Sequence, residues 1–150
     1  MKTSDGLKVI APGEGDPFPA LDLRRLATAS ETGGRWGAVV VSGEPTPHVR
    51  THVHVGEPEA FFILEGRVEL LGAESTTPLE PGSFVLVPPD TEHGLRILGD
   101  RPARWLAIWP PALDGLPEEI EQVTREGGNA NALREARERH RMVPGRDRSR

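Results

Sequence analysis

Three histidines and one glutamate near the middle of the chain have the residue types and the spacing of metal ligands. His52 and His54 are two residues apart, and Glu59 follows the turn signal at 56–58. Side chains at positions i and i+2 of a strand face the same side, so the two imidazoles point together. A chain reversal at the turn lets Glu59 face the same point from the next strand. His93 follows a proline-rich turn, begins another strand and supplies a fourth ligand.

This donor set restricts the choice of metal but does not specify one. Neutral imidazoles with one carboxylate suit Fe(II), Mn(II), Ni(II), Cu(II) or Zn(II). The chain has no cysteine, so any metal must take nitrogen and oxygen ligands. The sequence therefore predicts one divalent metal ion bound by His52, His54, Glu59 and His93. A six-coordinate ion would keep two positions for water or substrate, and Glu59 is also predicted to act as a catalytic base.

The elements that must position these residues are short strands. Runs rich in β-formers alternate with turn signals made of Gly, Pro and Asp at fairly regular spacing. The runs cover residues 35–42, 49–55, 60–64, 67–71, 83–87, 93–98 and 103–109. This pattern predicts an all-β sandwich or barrel, which an arm with one or two short strands precedes at 1–35.

The C-terminal third changes character after the last β-rich run. Pro117, with acidic residues beside it at the positive end of a helix dipole, indicates a helix start. We expect one or two short C-terminal helices at about 116–141 that lie on the barrel, and a disordered tail at about 144–150. Residues 1–150 are predicted to form a single domain with a barrel core at about 23–110.

At the ligand residues the chain resembles the cupin superfamily. The first cupin motif, H-x-H-x(3,4)-E-x(6)-G, is matched by His52, His54, Glu59 and Gly66. The resemblance implies a double-stranded β-helix, the jelly-roll cupin barrel. The run at 27–36 and the helical C-terminus are similar to small single-domain bacterial cupins of the quercetin-dioxygenase-like kind.

The second cupin motif, G-x(5)-P-x-G-x(2)-H-x(3)-N, is matched in part. Gly82, Pro88 and His93 occupy its positions, whereas Asp90 replaces its second glycine and Ile97 its asparagine. These departures affect the shape of a turn and a residue of the cavity wall. They leave the four ligand positions intact.

The resemblance implies a class of chemistry but no single reaction, because one cupin barrel hosts many activities. The leading prediction is a metal-dependent oxygenase of the dioxygenase type that acts on a small organic molecule. One alternative is a non-redox cyclase, isomerase or lyase that uses the metal as a Lewis acid. Another is a non-enzymatic cupin that binds a small molecule.

Five further residues are predicted to bind substrate. Two of them, Phe61 and Ile63, lie two and four residues after the glutamate ligand, and Leu95 and Ile97 lie two and four residues after the last histidine. Residues at even spacing on a strand face the same side, so all four should face inward. They form either an apolar cavity wall or ordinary core packing. Counting back by two from the first histidine reaches Arg50, which on an unbroken strand would face the same interior and bind an anionic or enolate-like substrate. If the strand begins or bulges after Arg50, its guanidinium would instead lie in solvent at the rim.

Composition and charge restrict the partners. A formal net charge of −5 argues against nucleic acid, which requires a concentrated basic surface. The sequence shows neither the apolar segment of a signal peptide nor a run long enough to span a membrane, so we expect a cytoplasmic protein with no membrane partner. A small-molecule substrate and a homodimer are predicted, with Trp105 and Trp109 assigned to core or dimer contacts.

Overall fold

The computed structural model describes residues 1–45 and 49–146, most of which belong to two antiparallel sheets. The strands are β1 (Asp16–Phe18), β2 (Leu23–Ala27), β3 (Gly37–Gly43), β4 (Val49–His54), β5 (Glu59–Glu65), β6 (Val68–Gly72), β7 (Thr76–Leu79), β8 (Phe84–Val87), β9 (His93–Ile97), β10 (Ala103–Trp109) and β11 (Met142–Pro144). The helices are α1 (Leu116–Arg125) and α2 (Ala130–Arg139), and single 3-10 turns occur at Pro19–Leu21, Ala29–Thr32 and Pro111–Leu113.

The two sheets enclose one apolar core. One sheet has the strand order β1-β2-β3-β10-β5-β8 and the other has the order β11-β4-β9-β6-β7. Val39, Ile63 and Trp105 from the first sheet and Val68 and Leu95 from the second belong to the same buried cluster. Along β5, β8 and β10, buried residues alternate with more exposed ones, as the period of two in the sequence predicts. The predicted all-β jelly roll is confirmed, and of the one or two short C-terminal helices that were predicted the structure has two.

The predicted strands of the barrel agree with the observed ones to within two residues at each end, and between Gly37 and Trp109 one strand was not predicted. That strand is β7, which contains Pro78 and buries only Leu79. Among the residues that the structure describes, it lies at the edge of the five-stranded sheet and pairs with β6 alone. An edge position tolerates proline because one side of the strand needs no hydrogen-bond donors.

The C-terminal helices form a second small core beside the barrel. Leu113, Leu116, Ile120 and Ala136 are its buried residues. Leu133, together with Trp109 and Met142 from the ends of β10 and β11, packs against them. No helix in the described part of the chain is long and apolar enough to cross a membrane.

The prediction of a disordered tail from Pro144 is wrong for the part of the tail that the structure describes. Strand β11 pairs with β4, and Gly145 donates its backbone N–H to the carbonyl of Thr51 at 2.8 Å. The hydroxyl of Thr51 donates to the carbonyl of Arg146 at 3.0 Å. These bonds join backbone to the edge of β4 and need no apolar side chains, so composition gave no sign of them. The end of the predicted tail, residues 147–150, lies outside the described residues.

Candidate metal centre

The four predicted ligands converge inside the barrel. His52, His54, Glu59 and His93 are only 3–5% exposed. One ligand atom from each of them lies within 4.8 Å of the others. The rings of His52 and His93 are closest, with centroids 4.3 Å apart. The structure therefore brings together every residue that the motifs place at the site.

Strand register explains this convergence. His52 on β4 pairs directly with His93 on β9, and His54 lies two residues further along the same face of β4. Glu59 begins β5, which belongs to the opposite sheet, just after the turn that ends β4. The ligands thus come from both walls of the barrel, and the turn between β4 and β5 connects the walls.

Backbone carbonyls set the orientation of two of the imidazoles. His52 Nδ1 lies 2.7 Å from the carbonyl oxygen of Arg50, and His93 Nδ1 lies 2.9 Å from that of Thr91. A carbonyl oxygen only accepts hydrogen bonds, so each Nδ1 carries the proton and donates it. The neutral ring then has an unprotonated Nε2 whose lone pair points to the centre of the cluster, as in metal-ligating histidines.

Two of the inward-facing atoms, Glu59 Oε2 and His93 Nε2, lack the hydrogen bonds that buried polar groups normally make. His52 Nε2 and His54 Nε2 are 3.2 Å apart, and His93 Nε2 is buried with no hydrogen-bond partner. Glu59 Oε2 contacts His54 Nε2 and lies 3.4 Å from His93 Nε2. Imidazole lone pairs and a carboxylate at such distances repel one another unless a proton or a cation lies between them. Three nitrogen donors and one oxygen donor therefore fit a divalent transition metal.

The protonation states at the centre agree with this assignment. Burial, followed by the repulsion that a protonated His93 would exert, lowers the pKa of His52 to about 3. Burial alone would raise the pKa of Glu59, but the adjacent imidazoles of His54 and His93 outweigh that effect and lower it to about 2. His52 is thus a neutral imidazole and Glu59 a carboxylate at neutral pH, which are the forms that bind metals.

The predicted inward orientation of Arg50 is wrong, and the alternative of a bulge after Arg50 is the one observed. Val49 pairs with Leu95 and His52 with His93, so the register shifts by one residue between Val49 and His52. This β-bulge turns the residues before it to the opposite face of the strand, and the side chain of Arg50 is exposed. The same bulge directs the Arg50 carbonyl at His52, so the backbone of this residue holds a ligand while its side chain lies in solvent.

A glycine opposite the bulge was a signal that could have revealed it. Gly94 lies inside β9, between His93 and Leu95. A Cβ at Gly94 would lie 2.7 Å from the carbonyl oxygen of Val49 and 2.9 Å from the nitrogen of Thr51. Glycine within a strand often marks such a close approach of two backbones.

Asp90 connects the two ligand-bearing segments. Its backbone N–H donates to the carbonyl of His54 at 3.1 Å, and its carboxylate accepts from the N–H of Gly56 at 2.8 Å. Its φ of 62° lies in the left-handed region, which explains why the second cupin motif has glycine at this position. The sequence marked Asp90 only as a departure from the motif and did not reveal its link to the β4–β5 turn.

The four predicted apolar substrate contacts are all buried, as their parity predicts. Phe61 lies beside the site, with its ring centroid 5.8 Å from that of His93. Ile63, Leu95 and Ile97 belong to the barrel core, together with Phe61. The role of these residues in substrate binding stays a prediction.

Met142, next to the site, was not predicted to belong to it, and Trp109 lies between the two apolar clusters. Met142 on β11 pairs with His54 and packs against the helical core. Trp109, assigned in the sequence to core or dimer contacts, packs against both apolar clusters, whereas Trp105 is buried in the barrel core. The pairing of Met142 joins segments almost ninety residues apart, and nothing local in the sequence indicates it.

Comparison with known proteins agrees with the fold and the motifs. Residues 38–109, which contain all four ligands, match the family Cupin_2, described as a cupin domain. Over 91 residues the chain is 32% identical to quercetin 2,3-dioxygenase of Bacillus subtilis, a match that covers 59% of this chain and 27% of that enzyme. Over 86 residues it is 31% identical to the polyketide synthase CurC of Streptomyces cyaneus, covering 55% of this chain and 54% of that protein. The chain thus spans about a quarter and about half of these two relatives.

A solved structure supports the fold alone. The crystal structure of a predicted oxalate decarboxylase from Thermotoga maritima superposes with a TM-score of 0.56 at 20% sequence identity. The match covers 57% of this chain and 76% of that one. Because identity is low, the likeness concerns the barrel and not the reaction.

Proposed function

Because the chain belongs to the cupin superfamily, we propose that it is a metal-dependent enzyme. The simplest form of this proposal is a non-haem oxygenase of the dioxygenase type that acts on a small organic molecule. The observation that carries this proposal is the buried convergence of three imidazoles and one carboxylate, with the proton of two imidazoles held on Nδ1 by backbone carbonyls. A divalent Fe, Mn, Ni, Cu or Zn ion held there would supply Lewis acidity and, if redox-active, electron transfer. The dioxygenase relative favours redox chemistry.

The residues of the site have distinct tasks in this proposal. His52, His54 and His93 hold the ion, and the carbonyls of Arg50 and Thr91 keep two of these rings in the binding tautomer. Glu59 is a ligand and also the base that takes a proton from substrate, since its carboxylate is ionised and lies at the centre of the cluster.

The surroundings of the cluster favour a largely apolar substrate. Phe61 provides an aromatic face next to His93, and Ile63, Leu95 and Ile97 continue the apolar interior. The guanidinium of Arg50 lies in solvent, so it offers no anchor for an anion in the interior. The metal and the apolar wall therefore provide most of the recognition.

A second candidate is a non-redox cyclase, isomerase or lyase, and it is supported by the second relative, which is named a polyketide synthase and not an oxygenase. In that case Glu59 would remove a proton from a carbon next to a carbonyl without consuming dioxygen. The third reading, a small-molecule-binding cupin without catalysis, uses the same ligands and the same apolar wall. The cytoplasmic location stays a prediction.

Metal analysis combined with oxygen uptake tests the proposal. The protein is purified without added metal, its metal is identified by mass spectrometry, and oxygen consumption is measured with quercetin and other small polyphenols. Bound iron, manganese, nickel or copper, with uptake that Glu59→Gln abolishes, would support the oxygenase. Zinc with turnover that needs no oxygen would support the second candidate, and a tight ligand with no turnover would support the third.

A further inference from the structure

The three imidazoles of the metal centre are not held alike. His52 and His93 each donate Nδ1–H to a backbone carbonyl, at 2.7 and 2.9 Å. His54 Nδ1 is also buried, but it has no hydrogen-bond partner among the described residues. A ligating histidine normally bonds its second ring nitrogen to a carbonyl or a carboxylate, and loss of such a partner weakens metal binding about 10–100-fold. Two of the three rings thus have the partner that fixes a ligand, and His54 lacks it.

The position of the ring proton also distinguishes His54. The Nε2 atoms of His52 and His54 lie 3.2 Å apart, and a hydrogen bond between them needs one proton. His52 carries its own proton on Nδ1, so its neutral ring offers only a lone pair at Nε2. The shared proton is therefore on His54 Nε2, the atom that must face a metal ion. Without metal, His54 has the tautomer that cannot bind, whereas His52 and His93 already have the one that can.

Binding a metal ion therefore costs His54 more than it costs the other two histidines. Its proton must move from Nε2 to Nδ1, and the described surroundings of Nδ1 hold no acceptor. A buried donor without an acceptor is unfavourable, because it has lost its hydrogen bonds with water. His54 also ends β4 and pairs with Met142, whose unbranched side chain can adapt when an adjacent ring moves. The His54 ring is thus weakly held and has a neighbour that can yield.

We propose that His54 is an exchangeable ligand, which leaves the metal ion when a substrate binds through two adjacent oxygen atoms. This inference rests on the proposed function, in which a metal ion occupies the centre. Without His54 the protein donors are His52, His93 and Glu59, and two histidines with one carboxylate are the donor set of non-haem iron oxygenases. A six-coordinate ion then has three open positions instead of two. Two substrate oxygens can occupy two of them, and the third stays free for dioxygen.

The surroundings of the ligands indicate the class of substrate. Phe61 presents an aromatic face beside the centre, with its ring centroid 5.8 Å from that of His93. In the part of the chain that the structure describes, the four ligands are the only polar or charged residues that are buried. The ion is therefore the main partner for the oxygen atoms of a substrate in this interior. An aromatic ring with two adjacent hydroxyls, a catechol, has the apolar body and the paired oxygens that this arrangement accepts.

Metal titration of single variants tests how firmly each histidine is held. His52→Ala, His54→Ala and His93→Ala are titrated with Zn(II) against a chelating dye, and circular dichroism verifies that they fold. We expect His54→Ala to weaken Zn(II) binding about tenfold less than either of the other substitutions, because the unpartnered Nδ1–H offsets the bond of His54 to the ion. Equal losses of affinity in the three variants would overturn the proposal. If a variant does not fold, spectra of the wild type decide the question.

Nitrogen NMR of the wild-type chain, labelled with ¹⁵N-histidine and loaded with Zn(II), tests the exchange itself. Zn(II) is used because it does not oxidise catechol. Saturating catechol should move only the His54 Nε2 signal to that of a free ring, whereas phenol, which has one oxygen, should leave all three imidazoles bound. His52 and His93 are recognised by Nδ1–H protons that exchange slowly, since these protons bond to carbonyls.

Three results of the NMR experiment would contradict the proposal. They are three bound imidazoles at saturating catechol, release of His52 or His93 in place of His54, and no binding of catechol at all. A chain that binds no Zn(II) would instead refute the proposed function, on which this inference rests. A loaded chain that keeps all three histidines on the ion would refute the exchange alone, so the two failures are distinguishable.

Discussion

Asp90 offers a quantitative test of how the two ligand-bearing segments are joined. The perturbation is Asp90→Ala, which removes the carboxylate that accepts from Gly56 and leaves a residue without a local partner at a φ of 62°. Two matched variants separate these effects. Asp90→Gly removes the carboxylate and relieves the backbone strain, whereas Asp90→Asn keeps an acceptor and tolerates the left-handed conformation.

The expected magnitudes follow from the two interactions. The hydrogen bond contributes about 1 kcal/mol at this exposed position. The left-handed conformation costs alanine about 1 kcal/mol more than it costs aspartate or asparagine, out of a total near 1–2 kcal/mol. Asp90→Ala should therefore lower the free energy of unfolding by about 2 kcal/mol. In Asp90→Gly the lost bond and the relieved strain should nearly cancel, and Asp90→Asn should change little.

Urea unfolding and metal titration together form the assay. Asp90→Gly should retain stability yet bind a divalent ion about tenfold more weakly. The reason is that it loses the hydrogen bond from Gly56, which joins the turn after His54 to the loop before His93. Asp90→Asn should bind metal like the wild type. If Asp90→Ala matched the wild type in both stability and affinity, the link would have no role. If Asp90→Gly were as unstable as Asp90→Ala, backbone strain would be ruled out as a component.

Two other predictions concern the bulge and the buried histidine. Gly94→Ala should lower the free energy of unfolding by about 2–3 kcal/mol, because the added Cβ would collide with the backbone of β4. Gly99→Ala is the control: a Cβ there meets nothing within 4 Å, so the substitution should cost only about 1 kcal/mol of backbone strain. Equal losses of stability in urea unfolding would contradict the close approach of β9 to β4. In metal-free protein the pKa of His52 lies near 3 in the folded chain and near 6.5 in the unfolded chain. Between these pH values the unfolded chain therefore binds more protons than the folded one. The free energy of unfolding should fall by up to about 1.4 kcal/mol per pH unit as the pH drops below 6.5. His52→Gln should flatten that slope, and an unchanged slope would show that His52 is not buried in its neutral form.

The ligands could be predicted from the sequence because they depend on short-range rules. A period of two places His52 and His54 on one face, and a single turn brings Glu59 to the same point. The cupin motifs added His93, which local geometry alone connects only loosely to the others. Burial of Phe61 and Leu95 followed from the same parity. These inferences hold wherever the strand is regular.

The predictions that the structure contradicts have equally specific causes. The parity rule placed Arg50 inside the barrel, and one extra residue in β4 reversed it. Gly94 marks this bulge in the sequence, but a glycine alone does not say which strand approaches it. The pairing of β11 with β4, which brings Met142 beside His54, is long-range and backbone-driven, so neither periodicity nor composition could indicate it.

The most direct test of the account is the metal content of the chain and of its histidine variants. After loading with a divalent ion and removal of the excess, the wild type should retain about one ion per chain. His52→Ala should lose most of it while remaining folded. His140→Ala serves as the control, since His140 bonds Glu119 and the carbonyl of Ala112 in the helical region; its metal content should equal that of the wild type. A His52→Ala chain that binds as much metal as the wild type would contradict the assignment of the metal centre.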